Sequence, residues 1–526
     1  MKEKVYIYDT TLRDGAQAEG ISLSLEDKIK IAIKLDELGV DYIEGGAPIS
    51  NPKDIEFFRR AAKMQWKTAK IAAFGFTCRP DSKTEEDSNL LDLIKCDAPV
   101  VTIVGKCWDF HVTKALMTTL EENLRMITDS VAFLKAQGRE VVFDAEHFFD
   151  GFKSNAEYAK SVVLAAQKAG ANWITLCDTN GGTLAYEIYE ITQKIVGLLS
   201  VPVAIHAHND GDQAVANSLM AVKSGATQVQ GTANGYGERC GNANIFSIIP
   251  NLELKMDKQC LPLGNLGMLT EVSHYIAEIA NATHRNDFPF VGNSAFAHKG
   301  GIHVSAILKD VNTYEHIHPE VVGNQRMVLI SEVSGMSSLL YKAREWGIDI
   351  TKETAKSQQF IVQIKDLENM GYQFEGADAS LELLLRKAFG QTQEMFQLET
   401  FRLIIEKKAD ECFTDEAIIK VRFGDKVVHT AAEGVGPVNA LDNALRKALV
   451  ENYPFIKNIH LKDYKVRVLN EQEATAANVR VLIEMTNGYD SWNTVGVSEN
   501  IIEASWNALV DSFNYAFLLR NKGKEV

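Results

Sequence analysis

Three short stretches of this chain carry side chains that could do chemistry together. The first, Asp9-Thr10-Thr11-Leu12-Arg13-Asp14-Gly15-Ala16-Gln17, follows an apolar run from Val5 and sets a guanidinium, a carboxylate and an amide around a glycine. The second, His206-Ala207-His208-Asn209-Asp210, follows the apolar run Val201 to Ile205. Residues two apart on a strand share a face, so both imidazoles can reach one point, to which Asp14 can bring an oxygen. Two histidines and a carboxylate are a common ligand set for a divalent cation, with coordination positions left over for substrate. The third stretch, Gly235 to Asn242, has glycines at 235, 237 and 241 that let a backbone approach a ligand closely, and Asn242 can add a neutral oxygen near the same cation.

Groups this far apart in sequence need a scaffold that gathers strand ends. Strand patterns alternate with amphipathic helix patterns from Val5 to about Leu254: Val5 to Asp9, Tyr42 to Glu44, Ile71 to Phe74, Val100 to Val104, Val141 to Asp144, Trp173 to Cys177, Val203 to His206 and Thr227 to Gly231. The helix Leu25 to Leu38 opens on a capping box, Ser24 with Asp27, and stops at Gly39. Eight strands separated by helices over about 250 residues predict a (β/α)8 barrel, with a doubly wound sheet as the alternative. Active sites of this fold lie at the carboxyl ends of the strands. Polar residues stand at those ends: Arg13 and Asp14 after the first strand, Glu44 on the second, Glu146 and His147 after the fifth, Asp178 and Thr179 on the sixth, His206 and His208 on the seventh, and Asn234, Glu238 and Arg239 after the eighth.

Beyond Pro250 the alternation ends, and residues 251 to 389 read as helices joined by polar turns. The clearest helices span 334–346, 352–370 and 377–389. Within this region Phe296 to His303, followed by Asn312, Tyr314, His316 and His318, reads on residue types alone as a solvated connector. From about Leu398 strand patterns return, at Ile419 to Phe423 and Lys426 to Thr430, leading through Gly434-Val435-Gly436-Pro437 into a helix that runs to about Glu451. The order recurs: strands at Tyr464 to Leu469, Val479 to Met485 and Ser491 to Val495, then Gly496-Val497-Ser498 and a helix from Ile501 to Arg520. Two strand-rich units, each closed by a glycine loop and a helix, predict a pseudo-symmetric α+β domain. A helix amino terminus after a glycine loop suits a small anionic or zwitterionic ligand; pairing of two chains through the strands is the other role. The division expected is a barrel at 1–265, helical linker subdomains at 266–392 and a regulatory domain at 393–526.

Bulk composition excludes several classes. Of 526 residues 46% are hydrophobic and 24% charged, a globular balance, and the formal charge of −15 argues against a nucleic-acid surface. An anionic substrate must then be met by local positive charge. The seven cysteines are scattered without CxxC pairs, which predicts a reducing, cytoplasmic setting. Strand pattern begins at once, leaving no room for a signal peptide, and no apolar run approaches the ~20 residues of a membrane span.

The Asp9 to Gln17 stretch, His206 with His208, the Gly235 to Asn242 loop and the terminal repeat together resemble the acyl-CoA condensing branch of the DRE-TIM metallolyases, over essentially the whole chain. That branch makes 2-isopropylmalate, homocitrate or citramalate, and Gly45 to Asp54 with Asp144 to Lys153 look most like its citramalate-forming members. At Ala47-Pro48 the branch usually has a bulkier Trp-Pro. The resemblance implies Asp14, His206 and His208 as ligands of a divalent metal (Mn, Mg or Zn), with Asn242 as its neutral oxygen. It implies Arg13 as the group polarising a keto oxygen, and Gln17, Asp144, Thr179 and Asn312 as substrate contacts. Glu146 is implied as catalytic, as are His303 and Tyr314, which would enter the active site of a neighbouring subunit in a homodimer. The base that forms the enolate is left open between Glu146 and the His303 and Tyr314 pair. The substrates implied are acetyl-CoA and pyruvate, with isoleucine as feedback effector of the terminal domain. The alternatives are a 2-isopropylmalate or homocitrate synthase, an acyl-CoA lyase, or a non-catalytic amino-acid sensor.

Overall fold

The computed structural model describes residues 2–48, 51–331, 334–391, 395–407, 414–469 and 477–523. They fall into two compact units, one of residues 1–296 with 317–326, the other of residues 297–316 with 327–526.

Eight parallel strands close the barrel of the first unit: β1 Tyr6–Asp9, β2 Tyr42–Gly46, β3 Lys70–Phe76, β4 Val100–Lys106, β5 Glu140–Glu146, β6 Trp173–Asp178, β7 Val203–Ala207 and β8 Gln228–Gly231. Pairing of Tyr6 with Gln228 completes the ring. Each strand lies where the alternation predicts it. The helix Leu25–Leu38 carries both halves of its capping box and ends on Gly39 at φ 96°.

Period two along the strands sorts the side chains. Outward positions such as Ile43, Val101, Ile103, Val141, Phe143, Ile174, Leu176, Val203, Ile205 and Val229 are buried against the surrounding helices. Inward positions at the amino ends form a second, separate apolar cluster of Tyr8, Tyr42, Ala72, Val100, Val142, Trp173 and Ala204. One step further along the same inward rows the residues turn polar: Tyr42 gives way to Glu44, Val100 to Thr102, Val142 to Asp144, Trp173 to Thr175 and Ala204 to His206, all of them buried. The barrel is thus plugged by aromatic and aliphatic groups at one end and lined by hydrogen-bonding groups at the other.

Asp9, the last residue of β1 and on its opposite row, shows what burying a carboxylate costs. Its carboxylate accepts from the backbone N–H of Thr11 at 2.9 Å and from the Thr11 hydroxyl at 2.8 Å. Burial nonetheless pushes its pKa up to about 7. An acid whose folded pKa is raised contributes most to stability below its unfolded value near 4, and that contribution is lost as pH rises through about 7. The loss is roughly 4 kcal/mol at most, at about 1.4 kcal/mol per unit. Asp9→Asn should therefore melt above the wild type at pH 8, with the gap closing towards pH 5 in a series of thermal melts.

The second unit holds two antiparallel three-stranded sheets, β9 Gln397–Glu406, β10 Thr414–Phe423 and β11 Lys426–Gly434, then β12 His460–Val468, β13 Val479–Thr486 and β14 Ser491–Ser498. Each is followed by its helix, Pro437–Leu449 or Ile501–Asn521. One strand, β9, was not expected. A register shift between Leu398 and Thr400 breaks the alternation by which it would be recognised, and most of it is exposed. Two glycines of the repeat serve packing. A Cβ on Gly434 would lie 2.3 Å from the backbone nitrogen of Ala440, and one on Gly496 would lie 2.0 Å from the carbonyl oxygen of Ala504. In both halves a glycine lets the following helix rest directly on its third strand. The linker helices Met336–Glu345, Thr354–Asn369 and Asp378–Ala388 form where predicted, and Leu339, Phe360, Ile364, Leu381 and Leu385 share a core with Val495 of β14.

Candidate active site at the barrel mouth

Asp14, His206 and His208 converge. Thr10 receives the backbone N–H of Asp14 at 2.9 Å, a tight turn that folds the carboxylate back over the end of β1. His206 is an inward residue of β7, and His208, just past its end, bridges to Asn242. The two Nε2 atoms are 3.2 Å apart, and Asp14 Oδ2 lies 3.2 Å from His206 Nε2 and 3.9 Å from His208 Nε2. All three residues are buried, and their ligand atoms fit within 4.8 Å of one another.

The partners of His206 suit it to a cation. Gln230 donates its amide N–H groups to Asp144 Oδ1 and Thr175 Oγ1, both at 3.0 Å, which fixes its Oε1 towards His206 Nδ1 at 2.9 Å. Nδ1 must then carry the proton, and Nε2 faces the cluster, the outer-shell arrangement that orients an imidazole ligand. Asn242 sits with Nδ2 on Asp14 Oδ2 at 2.8 Å and leaves Oδ1 buried without a partner. Half a turn of that amide would present the oxygen instead, so the donor set fits a divalent ion. Burial opposes ionisation of Asp14, but Arg13 and His206 outweigh it and hold the carboxyl well below the usual range. Burial and the neighbouring His206 lower His208 to about 3, keeping it neutral as a ligand must be.

Arg13 forms the floor beside this cluster. Its Nε donates to Glu44 Oε2 at 2.6 Å, Nη1 lies 3.4 Å from Asp14 Oδ1, and the guanidinium sits 3.9 Å over the centre of the Phe74 ring. Glu44 is fully buried and also accepts from the Tyr8 hydroxyl at 3.0 Å. Burial raises the Glu44 pKa, and the Arg13 charge offsets this only in part. Buried Asp144 is likewise raised by burial, against the pull of His206. Sequence reasoning placed Glu44 at a strand end without assigning it to Arg13 and did not find Gln230. An inward, alternating polar residue on β8 was the available signal for the latter.

This geometry has counterparts among known proteins. The family model HMGL-like matches residues 4–276, one for the homocitrate synthase post-HMGL domain matches 290–371, and one for the LeuA allosteric (dimerisation) domain matches 375–517. The chain is 56% identical to an (R)-citramalate synthase of Aquifex aeolicus over 98% of both chains, and 53% identical to that of Geobacter sulfurreducens over 97% of both. A 2-isopropylmalate synthase of Methanocaldococcus jannaschii is 30% identical over 99% of this chain and 96% of its own. The chain belongs to the citramalate synthase family. In this citramalate synthase framework the remaining expected residues take distinct places.

Glu146, at the end of β5, pairs with Lys106 at the end of β4, and both side chains are about one-fifth exposed. The Thr179 hydroxyl accepts the backbone N–H of His147 at 2.8 Å. Gln17 stands exposed beyond the turn, its backbone N–H on Asp14 O at 3.0 Å. His303, Tyr314 and Asn312 belong to the second unit and are exposed; the His303 and Tyr314 rings stack 4.2 Å apart, and Asn312 donates its backbone N–H and its side-chain amide to Asp310 Oδ1. No helix among the described residues is long and apolar enough to cross a membrane.

Proposed function

We propose that the site joins acetyl-CoA to pyruvate and hydrolyses the resulting thioester, giving (R)-citramalate and CoA. The convergence of Asp14, His206 and His208 beside Arg13 carries this reading, and the full-length likeness to citramalate synthases supports the choice of substrates. A divalent cation, Mn, Mg or Zn, held by Asp14, His206 and His208 with Asn242 as a further oxygen, would supply Lewis-acid polarisation of the keto group. Arg13, with Nε and Nη1 already engaged, fixes positive charge where the keto oxygen becomes negative, and being locked in advance it needs no reorganisation as the reaction proceeds. Asp144, Thr179 and Gln17 contact the keto acid, and Asn312 contacts substrate from the linker. The enolate-forming base is Glu146, or His303 with Tyr314 brought by the second chain of a homodimer; the LeuA-type domain supports the dimer. The regions 1–265, 266–392 and 393–526 serve catalysis, completion of the site and regulation, in a cytoplasmic enzyme.

Turnover with pyruvate, 2-oxoisovalerate and 2-oxoglutarate, followed through the free thiol of released CoA, tests the reading. One methylene in such a pocket is worth about 10- to 200-fold in specificity, so kcat/KM for pyruvate should lead by at least about 10-fold. Equal or better use of 2-oxoisovalerate would reassign the chain to the 2-isopropylmalate branch.

Isoleucine is the proposed effector of the terminal domain, bound more tightly by the less active of two states. Cutting the chain after Phe389 would strip Val495 from the core of the linker helices, so the test uses the whole chain. Millimolar isoleucine should slow the full-length enzyme while leucine and valine do not, and an unchanged rate would remove the assignment.

A further inference from the structure

A second set of titratable groups stands at the barrel mouth, outside the roles given above. His147 follows Glu146 directly and adopts the left-handed conformation, φ 54°, which a non-glycine residue holds only where its surroundings impose it. Here the backbone N–H bonded to Thr179 Oγ1 at 2.8 Å imposes it, and so does the ring, whose Nδ1 lies 3.2 Å from Asp150 Oδ2. Asn180 donates to the same carboxylate oxygen at 3.0 Å. A carboxylate only accepts, so Nδ1 bears a proton, and in the neutral tautomer this fixes, the lone pair lies on Nε2. His111, on the segment after β4, packs against the imidazole with ring centres 4.1 Å apart and planes tilted by 46°, and Trp108 stacks on His111 at 5.2 Å. His111 Nδ1 is buried without a partner, a state that is costly unless a ligand or water supplies the missing bond. The cluster connects to the metal-type triad through Thr179, whose carbonyl accepts from Arg239 Nη2 at 2.9 Å, while the same Nη2 reaches His208 Nδ1 at 3.3 Å.

The reaction abstracts a proton twice. Condensation needs a base at the acetyl methyl, next to the keto acid. Hydrolysis needs a base at the thioester carbonyl, one bond further out along the CoA arm. Glu146 ends the inward row of β5, whereas the left-handed turn carries the His147 ring across to the residues that follow β4.

We propose that His147, oriented by Asp150 and covered by His111, is the base of the hydrolytic half-reaction. Water attacks the thioester carbonyl carbon of the condensed acyl-CoA and its proton passes to His147 Nε2 as the C–O bond forms. The C–S bond then breaks, the imidazolium returns the proton to the CoA sulfur, and the new carboxylic acid ionises to solvent. Asp150 acts through His147 as a positioning residue. This assignment rests on the function proposed above.

The experiment compares full-length, metal-loaded wild type with His147→Asn, which tolerates the left-handed backbone, and Asp150→Asn. Each is given pyruvate with acetyl-CoA, and separately synthetic citramalyl-CoA. CoA release and the acyl-CoA pool, by mass spectrometry, are followed together with metal content. The expected result for His147→Asn is hydrolysis of citramalyl-CoA slowed about 10²- to 10⁴-fold, with that thioester accumulating from pyruvate and the metal retained. Asp150→Asn should show the same pattern more weakly. Hydrolysis at the wild-type rate in His147→Asn, or slow turnover without accumulated citramalyl-CoA, would overturn the inference. A wild type that does not turn over pyruvate but hydrolyses citramalyl-CoA would retire the condensation reading and leave the base assigned.

Discussion

Asp14→Ala is expected to leave the purified protein with less than about a tenth of its bound divalent metal and to lower kcat/KM for pyruvate by at least about 10³-fold, the scale of the several kcal/mol that Lewis-acid stabilisation contributes. Asp14 is the acidic member of the cluster and the oxygen nearest both Nε2 atoms. Its loss also removes the hydrogen bond and charge that, against burial, raise the His206 pKa. The barrel itself should persist, because Arg13 keeps its bond to Glu44 and the strands below are held by apolar contacts. Metal content by mass spectrometry and CoA release by thiol titration check the two halves of the expectation. Full metal content with a rate within 10-fold of wild type would show that the cluster is not where the cation acts.

The second large effect separates stability from catalysis at Arg13. In Arg13→Met the Glu44 carboxylate stays fully buried with the Tyr8 hydroxyl as its remaining donor. Breaking a buried ion pair from one side typically costs about 3–5 kcal/mol, because the surviving charge is uncompensated. Removing both charges avoids that penalty, so Arg13→Met with Glu44→Gln should recover most of the lost melting temperature. Turnover should remain depressed by about 10²- to 10³-fold in both proteins, since the fixed charge at the developing oxyanion is absent from each. Recovery of activity alongside stability in the double variant would reduce Arg13 to a structural counter-ion.

How far these features were legible in the sequence depended on the range of the interaction that makes them. The barrel and the facing of His206 and His208 were readable because period two is a local property of each strand. The Leu25 helix was readable because its cap lies within three residues of its start. The Arg13 bond to Glu44 joins the turn after β1 to β2, 31 positions away, and becomes visible only once register is known. The tautomer of His206 depends on Gln230 at the far side of the β7 and β8 pairing, and the left-handed turn of His147 on Thr179 just past the next strand. Strand β9 escaped because one bulge displaces its alternation. The close packing at Gly434 and Gly496 of the terminal repeat was not legible because composition does not show how near a following helix comes to the backbone.

The core shared by the linker helices and β14 also bears on how such enzymes can be recombined. A terminal sheet pair transplanted from a relative at residue 393 would arrive without the helical partners that Val495 is shaped to meet, and would strand the host's helices in water. A graft beginning at residue 327 and taking 297–316 with it keeps that contact within one donor. A chimera that keeps the second unit's core intact is therefore cut at a seam well upstream of residue 393.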